Sequence, residues 1–147
     1  MNLSPHFTLA EFTASQTAAR LGIDNMPTPD LIANLGRVAY ALELIRDLVG
    51  KPIIISSGYR SIALNANTPG SANNSAHTRG CAADFIIPQF GTPFEVCRMI
   101  VGMRLPYDQL IFERSWVHLA IEPPTRRQVL TLKPGGGYLH GLVEHPQ

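Results

Sequence analysis

The chain has 147 residues, with 12 basic and 11 acidic side chains, 45% apolar residues, 12 glycines and 12 prolines. This length fits one domain and is too short for two. A net charge of +1 without a basic stripe argues against a nucleic-acid partner, and no apolar run approaches the roughly 18 residues of a membrane helix. We therefore expect residues 1–147 to form one monomeric domain, with about residues 1–27 as an N-terminal helical arm packed on it.

The N-terminus and the cysteines indicate the compartment and the redox state. Residues Met1–Phe7 lack the basic and apolar segments of a secretory signal, so we expect synthesis in a cytoplasm without a leader peptide. Cys81 and Cys97 allow at most one disulfide and do not form a C-x-x-C pair. Because cysteine is among the most buried residue types, we expect two buried free thiols.

Capping patterns predict the helices. Thr8–Glu11 is a capping box that opens a short helix, and Thr92–Glu95 is a second one that opens a later helix. Thr28–Asp30 supplies an N-cap, a first-turn proline and an acid, and Gly50 ends the helix that follows. Ser61–Asn65 is expected to form one or two helical turns. The long helix has one apolar stripe, formed by Leu31, Leu35, Val38, Leu42, Ile45 and Val49.

Short apolar segments predict the strands. Ile53–Ser56 is an unbroken β-branched run, typical of a strand buried on both faces. Ala82–Ile87 is a second strand, Asp108–Phe112 and Trp116–Ile121 form an antiparallel hairpin, and Gln128–Leu132 is one more candidate. Because strands and helices do not alternate regularly, we expect an α+β fold with a small, mostly antiparallel sheet and helices packed on it.

Two histidines and one aspartate stand out against their apolar surroundings. His77 ends a polar loop over residues 67–76, and Asp84 lies inside an apolar strand, where a carboxylate needs a partner. His118 is also in mid-strand, on the same face as Trp116. These three side chains could hold zinc and leave a fourth position for water. A structural His77–Asp84 hydrogen bond without metal is the competing interpretation.

Three sequence blocks, Ser57–Ser61, Ser75–Phe85 and Trp116–His118, resemble the signature of the M15 zinc peptidases. This family includes D-Ala-D-Ala carboxypeptidases and the L-alanyl-D-glutamate endopeptidases of phage lysins. Asp108–Glu113 and the opening Asn2–Gln16 are similar to its phage-associated subgroup. The resemblance implies a hedgehog/DD-peptidase-like fold and one zinc ion as cofactor.

The family's functional positions can be carried over residue by residue. His77, Asp84 and His118 match the zinc ligands. Arg60 matches an arginine that holds a substrate carboxylate or carbonyl oxygen, and Ser75 matches a serine near the substrate. A guanidinium suits a carboxylate because it presents a planar fork of donors.

The chain departs from the better-known members at the general base. They carry an acid three positions before the last histidine ligand, where this chain has Ser115. Glu113 is the nearest replacement, because a two-residue turn would place it opposite Trp116 and on the face of His118. Glu122 shares that face but lies about 13 Å along the strand, which is too far without a bend. Trp116 is either a core aromatic or a platform for substrate.

Together with the three candidate zinc ligands, the resemblance implies a zinc peptidase that hydrolyses an amide bond in the peptidoglycan stem peptide. The resemblance favours a phage or prophage cell-wall lytic enzyme, an endolysin of a bacteriophage, with Glu113 as catalytic base. Such a protein is made in the bacterial cytoplasm and acts on the wall after release by a holin, by lysis or by carriage in a virion. Because of Ser115, a catalytically silent domain that binds wall peptides or has a structural part in a virion stays open as the alternative.

Overall fold

Eight strands and five helices make up the fold in a computed structural model that describes residues 1–147. The strands are β1 (Asn2–Ser4), β2 (Phe7–Thr8), β3 (Ile54–Ser57), β4 (Ala82–Ile86), β5 (Gln109–Phe112), β6 (Val117–Ala120), β7 (Gln128–Leu132) and β8 (Tyr138–His140). The helices are α1 (Leu9–Thr13), α2 (Gln16–Leu21), α3 (Pro29–Val49), α4 (Ile62–Ala66) and α5 (Pro93–Val101). None of the helices combines the length and the apolar character required to cross a membrane.

The main sheet has six strands in the order β3-β4-β6-β5-β7-β8, and β1 and β2 form a separate small sheet. All neighbours in the main sheet are antiparallel except β5 and β7, which run parallel. The predicted α+β fold with a mostly antiparallel sheet is therefore confirmed. The hairpin of β5 and β6 is also confirmed, with Phe112 opposite Val117.

Local capping signals position the helices as expected. Both predicted capping boxes are formed, at the starts of α1 and α5. The long helix α3 begins at Pro29 and ends at Val49, and its C-cap residue Gly50 has a left-handed φ of 66°. Thr28 occupies the N-cap position as predicted, but its hydroxyl donates to the Asp30 carboxylate and makes no capping hydrogen bond. Helix α2 was not predicted, because only Ala18 of its six residues is buried and the segment has no apolar stripe.

The position of β3 corrects one expectation. The prediction that this strand is buried on both faces is wrong: β3 is an edge strand that pairs only with β4, and Ile54 is 51% exposed. A run of β-branched residues favours extended backbone but does not encode how many strands will pair with it.

The two faces of the main sheet have different roles. One face packs against α3 and α5 and belongs to the hydrophobic core, to which Phe85, Leu110, Val117 and Leu119 contribute. On the opposite face, the alternating residues of β4, β5 and β6 include the polar side chains of Asp84, Gln109 and His118. Cys81 and Cys97 are buried free thiols, as predicted.

Candidate metal centre

His77 is held in place by a short turn between the polar loop and β4. Residues Ala76–Arg79 form one 3₁₀ turn, and the Ser75 hydroxyl accepts a hydrogen bond from the His77 backbone N–H at 3.2 Å. The turn ends at Gly80 with φ 68°. A Cβ at Gly80 would lie 2.8 Å from the Leu31 carbonyl oxygen, so only glycine fits where this turn meets α3. The chain then enters β4 and reaches Asp84.

Asp84 and His118 face each other because β4 and β6 are antiparallel neighbours. The register pairs Asp84 directly with His118. Directly opposite residues project to the same face with Cβ atoms about 4.5–5.5 Å apart. The sheet therefore brings together two polar side chains that are 34 residues apart in sequence.

The donor atoms of His77, Asp84 and His118 converge on one point. His77 Nε2 lies 3.1 Å from Asp84 Oδ1 and 3.2 Å from His118 Nδ1, and His118 Nδ1 lies 2.9 Å from Asp84 Oδ1. The three residues are only 1%, 9% and 9% exposed, respectively. They form a group of side chains that could hold a metal ion.

The tautomer of His77 explains why this group suits a cation. His77 Nδ1 lies 2.6 Å from the Gly58 carbonyl oxygen, which can only accept a hydrogen bond, so Nδ1 carries the proton. Burial lowers the pKa of His77, which favours the neutral ring. The lone pair of Nε2 is thus directed at the Asp84 carboxylate, and two acceptors at 3.1 Å repel each other unless a cation lies between them.

Asp84 has the ionisation state that a metal ligand requires. Burial raises the pKa of Asp84, whereas a positive charge beside it, on the His77 ring or on a metal ion in its place, and the hydrogen bond from His118 lower the pKa well below its usual value. Donor atoms about 2.0–2.1 Å from a tetrahedral zinc ion lie about 3.3 Å from each other, close to the separations seen here. The hydrogen bond from His77 to Gly58 is the kind of outer contact that orients a metal-binding imidazole. The residues therefore fit a zinc ion.

Glu113 lies at the end of β5, in the turn that leads to β6. Its backbone N–H donates to the Trp116 carbonyl at 3.1 Å, which continues the hairpin by one pair beyond Phe112 and Val117. Because Ile111 is opposite His118, Glu113 projects to the same face as His118. Its carboxylate is half-buried in the cleft, and this burial raises its pKa.

Tyr138 of β8 was not predicted as part of the site. Its hydroxyl lies 3.4 and 3.5 Å from the two carboxylate oxygens of Glu113 and can donate to either. Ser115 is exposed at the tip of the turn, beside Arg114 with φ 71°, and lines no part of the cleft.

Arg60 lies at one end of the cleft. Its Nη2 is 3.4 Å from the Ser75 hydroxyl oxygen, while its Nε is buried and has no partner. Burial lowers the pKa of Arg60 and the nearby Asp84 carboxylate partly offsets this, but a guanidinium remains charged in proteins. The Arg60 backbone N–H donates to the His77 carbonyl at 3.1 Å, so the arginine is tied to a ligand-bearing segment.

Asn25 supports Arg60 from the N-terminal region and was also missed from sequence. Its amide nitrogen donates to the Tyr59 carbonyl at 3.0 Å, and its oxygen accepts from the Ser61 N–H at 2.8 Å. It therefore holds the backbone on both sides of Arg60. The same amide nitrogen donates to Thr13 at 2.9 Å and links this segment to α1. An isolated loop asparagine gives no sequence signal for such a role.

The other sequence candidates occupy distinct positions. Trp116 is 39% exposed and lines the cleft, which excludes a role as a core aromatic. Glu122 forms a bidentate pair with Arg79, at 2.7 and 3.0 Å, and this contact lowers the pKa of Glu122. The Cys81 thiol donates to the Arg79 carbonyl at 3.4 Å, and burial raises its pKa to about 11, so it stays protonated.

All seven candidate residues line one cleft of about 600 Å³, within the usual size range of ligand sites. They are Arg60, Ser75, His77, Asp84, Glu113, Trp116 and His118. Three convergent donor atoms at an open cleft, with a carboxylate and a guanidinium nearby, define a site of the metallohydrolase class.

Comparison with known proteins identifies the family. The model of the peptidase M15 family matches residues 5–120, which include all seven candidate residues. The chain belongs to the peptidase M15 family, whose members are metallopeptidases and typically depend on zinc. The family implies peptidase activity on a peptide substrate. No curated protein matches the chain.

Proposed function

We propose that this protein is a zinc-dependent peptidase that hydrolyses an amide bond in the peptidoglycan stem peptide. The observation that supports it best is the convergence of His77 Nε2, Asp84 Oδ1 and His118 Nδ1 within 3.2 Å of one another in the cleft. Glu113 and Arg60 line the same cleft.

The zinc ion would be held by His77, Asp84 and His118. When bound, it supplies Lewis acidity, which polarises the scissile carbonyl and lowers the pKa of a water molecule from 15.7 toward about 7. Asp84 balances part of the positive charge, and the Gly58 carbonyl keeps the His77 ring oriented through Nδ1.

Glu113 acts as the general base in this proposal. Its carboxylate accepts a proton from the attacking water and donates it to the nitrogen of the leaving amine. Burial raises its pKa, which suits a group that must both take up and release a proton near neutral pH. The Tyr138 hydroxyl can hold the carboxylate in place.

Arg60, Ser75 and Trp116 bind and orient the substrate. The unpartnered Nε of Arg60 and its guanidinium can bind a substrate carboxylate or carbonyl oxygen, and Ser75 supplies a hydroxyl beside it. The exposed ring of Trp116 offers an apolar platform. Stem peptides carry carboxylates, which match the charge of Arg60.

The resemblance to phage-associated M15 sequences supports a role as a phage or prophage wall-lytic enzyme. In that role the protein reaches the wall after release by a holin, by lysis or by carriage in a virion. A single domain with one cleft suffices for it to act as a monomer.

Metal analysis and an assay of peptidoglycan turnover together test the proposed function. We expect the purified protein to bind one zinc ion per chain and to release amines from purified peptidoglycan. Glu113→Gln should keep the zinc and lower kcat about 10²–10⁴-fold, because it removes the base and leaves the ligands intact. His118→Ala should lose the zinc. Glu144→Gln changes an exposed carboxylate that does not line the cleft; it is the matched control and should behave as wild type.

Zinc binding without amine release would contradict the enzymatic function. It would favour the catalytically silent wall-peptide-binding or virion domain suggested by Ser115. Absence of stoichiometric zinc would instead leave the His77–Asp84 contact as a structural hydrogen bond.

A further inference from the structure

A second cavity of about 310 Å³ adjoins the cleft on the far side of Arg60. Arg60 and Thr68 line both spaces, so these two residues lie at the boundary between the second cavity and the cleft. The second cavity has one wall from the junction of α1 and α2 and another from β3. Its volume is at the lower end of the range for ligand sites.

The lining of this second cavity consists mostly of polar residues and is nearly uncharged. Arg60 is its only charged residue, whereas the main cleft also contains Arg79, Asp108 and Glu122. Its uncharged hydrogen-bonding side chains are Ser15, Gln16, Thr17, Ser56, Ser57, Tyr59 and Thr68. Hydroxyl and amide groups of this kind match the N–H and C=O groups of a peptide backbone.

The strand that forms one wall is also suited to a peptide. β3 pairs with β4 alone, so its other edge has no strand partner. An extended peptide can hydrogen-bond to a free strand edge through its backbone. Ser56 is exposed and Ser57 half-buried in this part of β3, so a ligand can reach them.

We propose that the second cavity binds the part of a peptide substrate that continues beyond Arg60. Arg60 then contacts a carbonyl oxygen within the chain, and the protein cleaves amide bonds inside a peptide and not only next to a free carboxyl end. This inference rests on the proposed function, because it takes the main cleft as the place of hydrolysis.

A pair of defined muropeptides tests this inference. One is a monomer whose stem peptide ends in a free carboxylate, and the other is a cross-linked dimer in which the chain continues. We expect wild type to cleave the same bond in the dimer with a kcat/KM at least equal to that for the monomer. A tenfold or larger preference for the monomer would overturn the inference.

Two substitutions to tryptophan on α2 test whether the second cavity is responsible for cleavage of the dimer. Gln16 is exposed and lines the second cavity, whereas Arg20 is exposed on the same helix and lines neither space. Gln16→Trp should lower the dimer-to-monomer ratio of kcat/KM about tenfold by filling the cavity. Arg20→Trp should leave the ratio at the wild-type value. Equal changes in both variants would overturn the inference.

A binding measurement on the wild-type protein separates this inference from the proposed function. With the dimer, we expect NMR amide signals of residues 15–17 and 56–57 to shift, and with the monomer they should stay in place. These shifts without amine release would support the second site and refute hydrolysis. Amine release from the dimer without these shifts would refute the second site and support hydrolysis.

Discussion

His77 has one proton in its neutral form, and the Gly58 carbonyl accepts it at 2.6 Å. The remaining ring nitrogen therefore offers a lone pair to the same point as Asp84 and His118. This arrangement is costly for a purely structural hydrogen bond, because a buried acceptor would face a carboxylate. A bound cation removes the repulsion and uses all three donor atoms.

Asn25 provides the residue-scale prediction on substrate orientation. Asn25→Ala removes the hydrogen bonds to both neighbours of Arg60 and frees the backbone that carries it. We expect KM to rise about tenfold, roughly 1.4 kcal/mol of binding free energy, with zinc content unchanged and kcat affected less. Steady-state kinetics and metal analysis measure this.

Asn73→Ala is the matched control, because Asn73 is exposed in the adjacent polar loop and lines neither cavity. It should behave as wild type. If Asn25→Ala instead lowered kcat and zinc content together, the role of Asn25 would be general stability and not the positioning of Arg60.

Gly80 links two elements that carry candidate metal ligands, the turn of His77 and the strand of Asp84. Gly80→Ala must adopt a left-handed φ and also places a Cβ 2.8 Å from the Leu31 carbonyl oxygen. We expect the free energy of unfolding to fall by about 2 kcal/mol or more, since the backbone term alone is about 1–2 kcal/mol. Urea denaturation measures this, and zinc affinity should fall as well.

Gly50→Ala separates the cost of the left-handed backbone from the cost of the close contact with Leu31. Gly50 has nearly the same φ, 66°, but an added Cβ there would meet nothing within 4 Å. Gly50→Ala should lose only the roughly 1–2 kcal/mol of unfolding free energy that a left-handed φ costs a residue with a Cβ, and its zinc affinity should be unchanged. Equal destabilisation in both variants would show that the contact with Leu31 contributes nothing.

The pairing of Asp108 with Arg126 joins the start of β5 to the segment before β7. Arg126 donates to both carboxylate oxygens, at 3.0 and 2.8 Å, and these hydrogen bonds lower the pKa of Asp108. A group with a depressed folded-state pKa stabilises the protein above its unfolded pKa, about 3.9, and loses this effect as pH falls through the folded value.

The Tm of Asp108→Asn should therefore lie below that of wild type at pH 6, and the difference should shrink as the pH is lowered below about 4. Thermal unfolding over this pH range measures it. Asp47→Asn, at an exposed site on α3 outside any ion pair, should show little difference at either pH. If the Tm difference between Asp108→Asn and wild type were the same at every pH, this would contradict the ion pair between Asp108 and Arg126.

Among the elements, those encoded by adjacent residues could be predicted, and those that depend on remote partners could not. Thr8, Thr92 and Pro29 mark helix starts because caps act within one turn. The edge position of β3 and the existence of β8 depend on strand pairing across the chain, which no local pattern specifies. The parallel pairing of β5 with β7 has the same origin.

Some residues of the candidate site could likewise be predicted from local sequence, and others could not. Asp84 and His118 stand out because polar side chains interrupt apolar strands, and the register then brings them together. Tyr138 and Asn25 gave no such signal, because each is an ordinary loop or edge residue in sequence. The partners of Asn25 are 12 to 36 residues away.

At the scale of the whole molecule, zinc should stabilise the fold, because its ligands come from separate segments that are assembled only in the folded state. At a free zinc concentration 100 times Kd, the stabilisation is about 2.7 kcal/mol. For a chain of this size, this corresponds to a rise in Tm of about 5–10 °C. Calorimetry with and without a chelator measures the shift.

His118→Ala should abolish this rise, because it removes one of three ligands. His145→Ala, an exposed histidine near the C-terminus, should retain it. If wild type had the same Tm in saturating zinc and in the presence of the chelator, the group of His77, Asp84 and His118 would not be a metal site.

The central strand β6 has a consequence for evolution and design. His118 faces the cleft, while its neighbours Val117 and Leu119 are fully buried in the core on the other side of the sheet. Successive residues are about 3.3 Å apart along a strand, so repacking the core here also moves a candidate metal ligand, whose position must hold to about 0.5 Å for binding. Mutations that make the protein more robust should therefore accumulate on the solvent-facing side of α3, and β6 should tolerate very few.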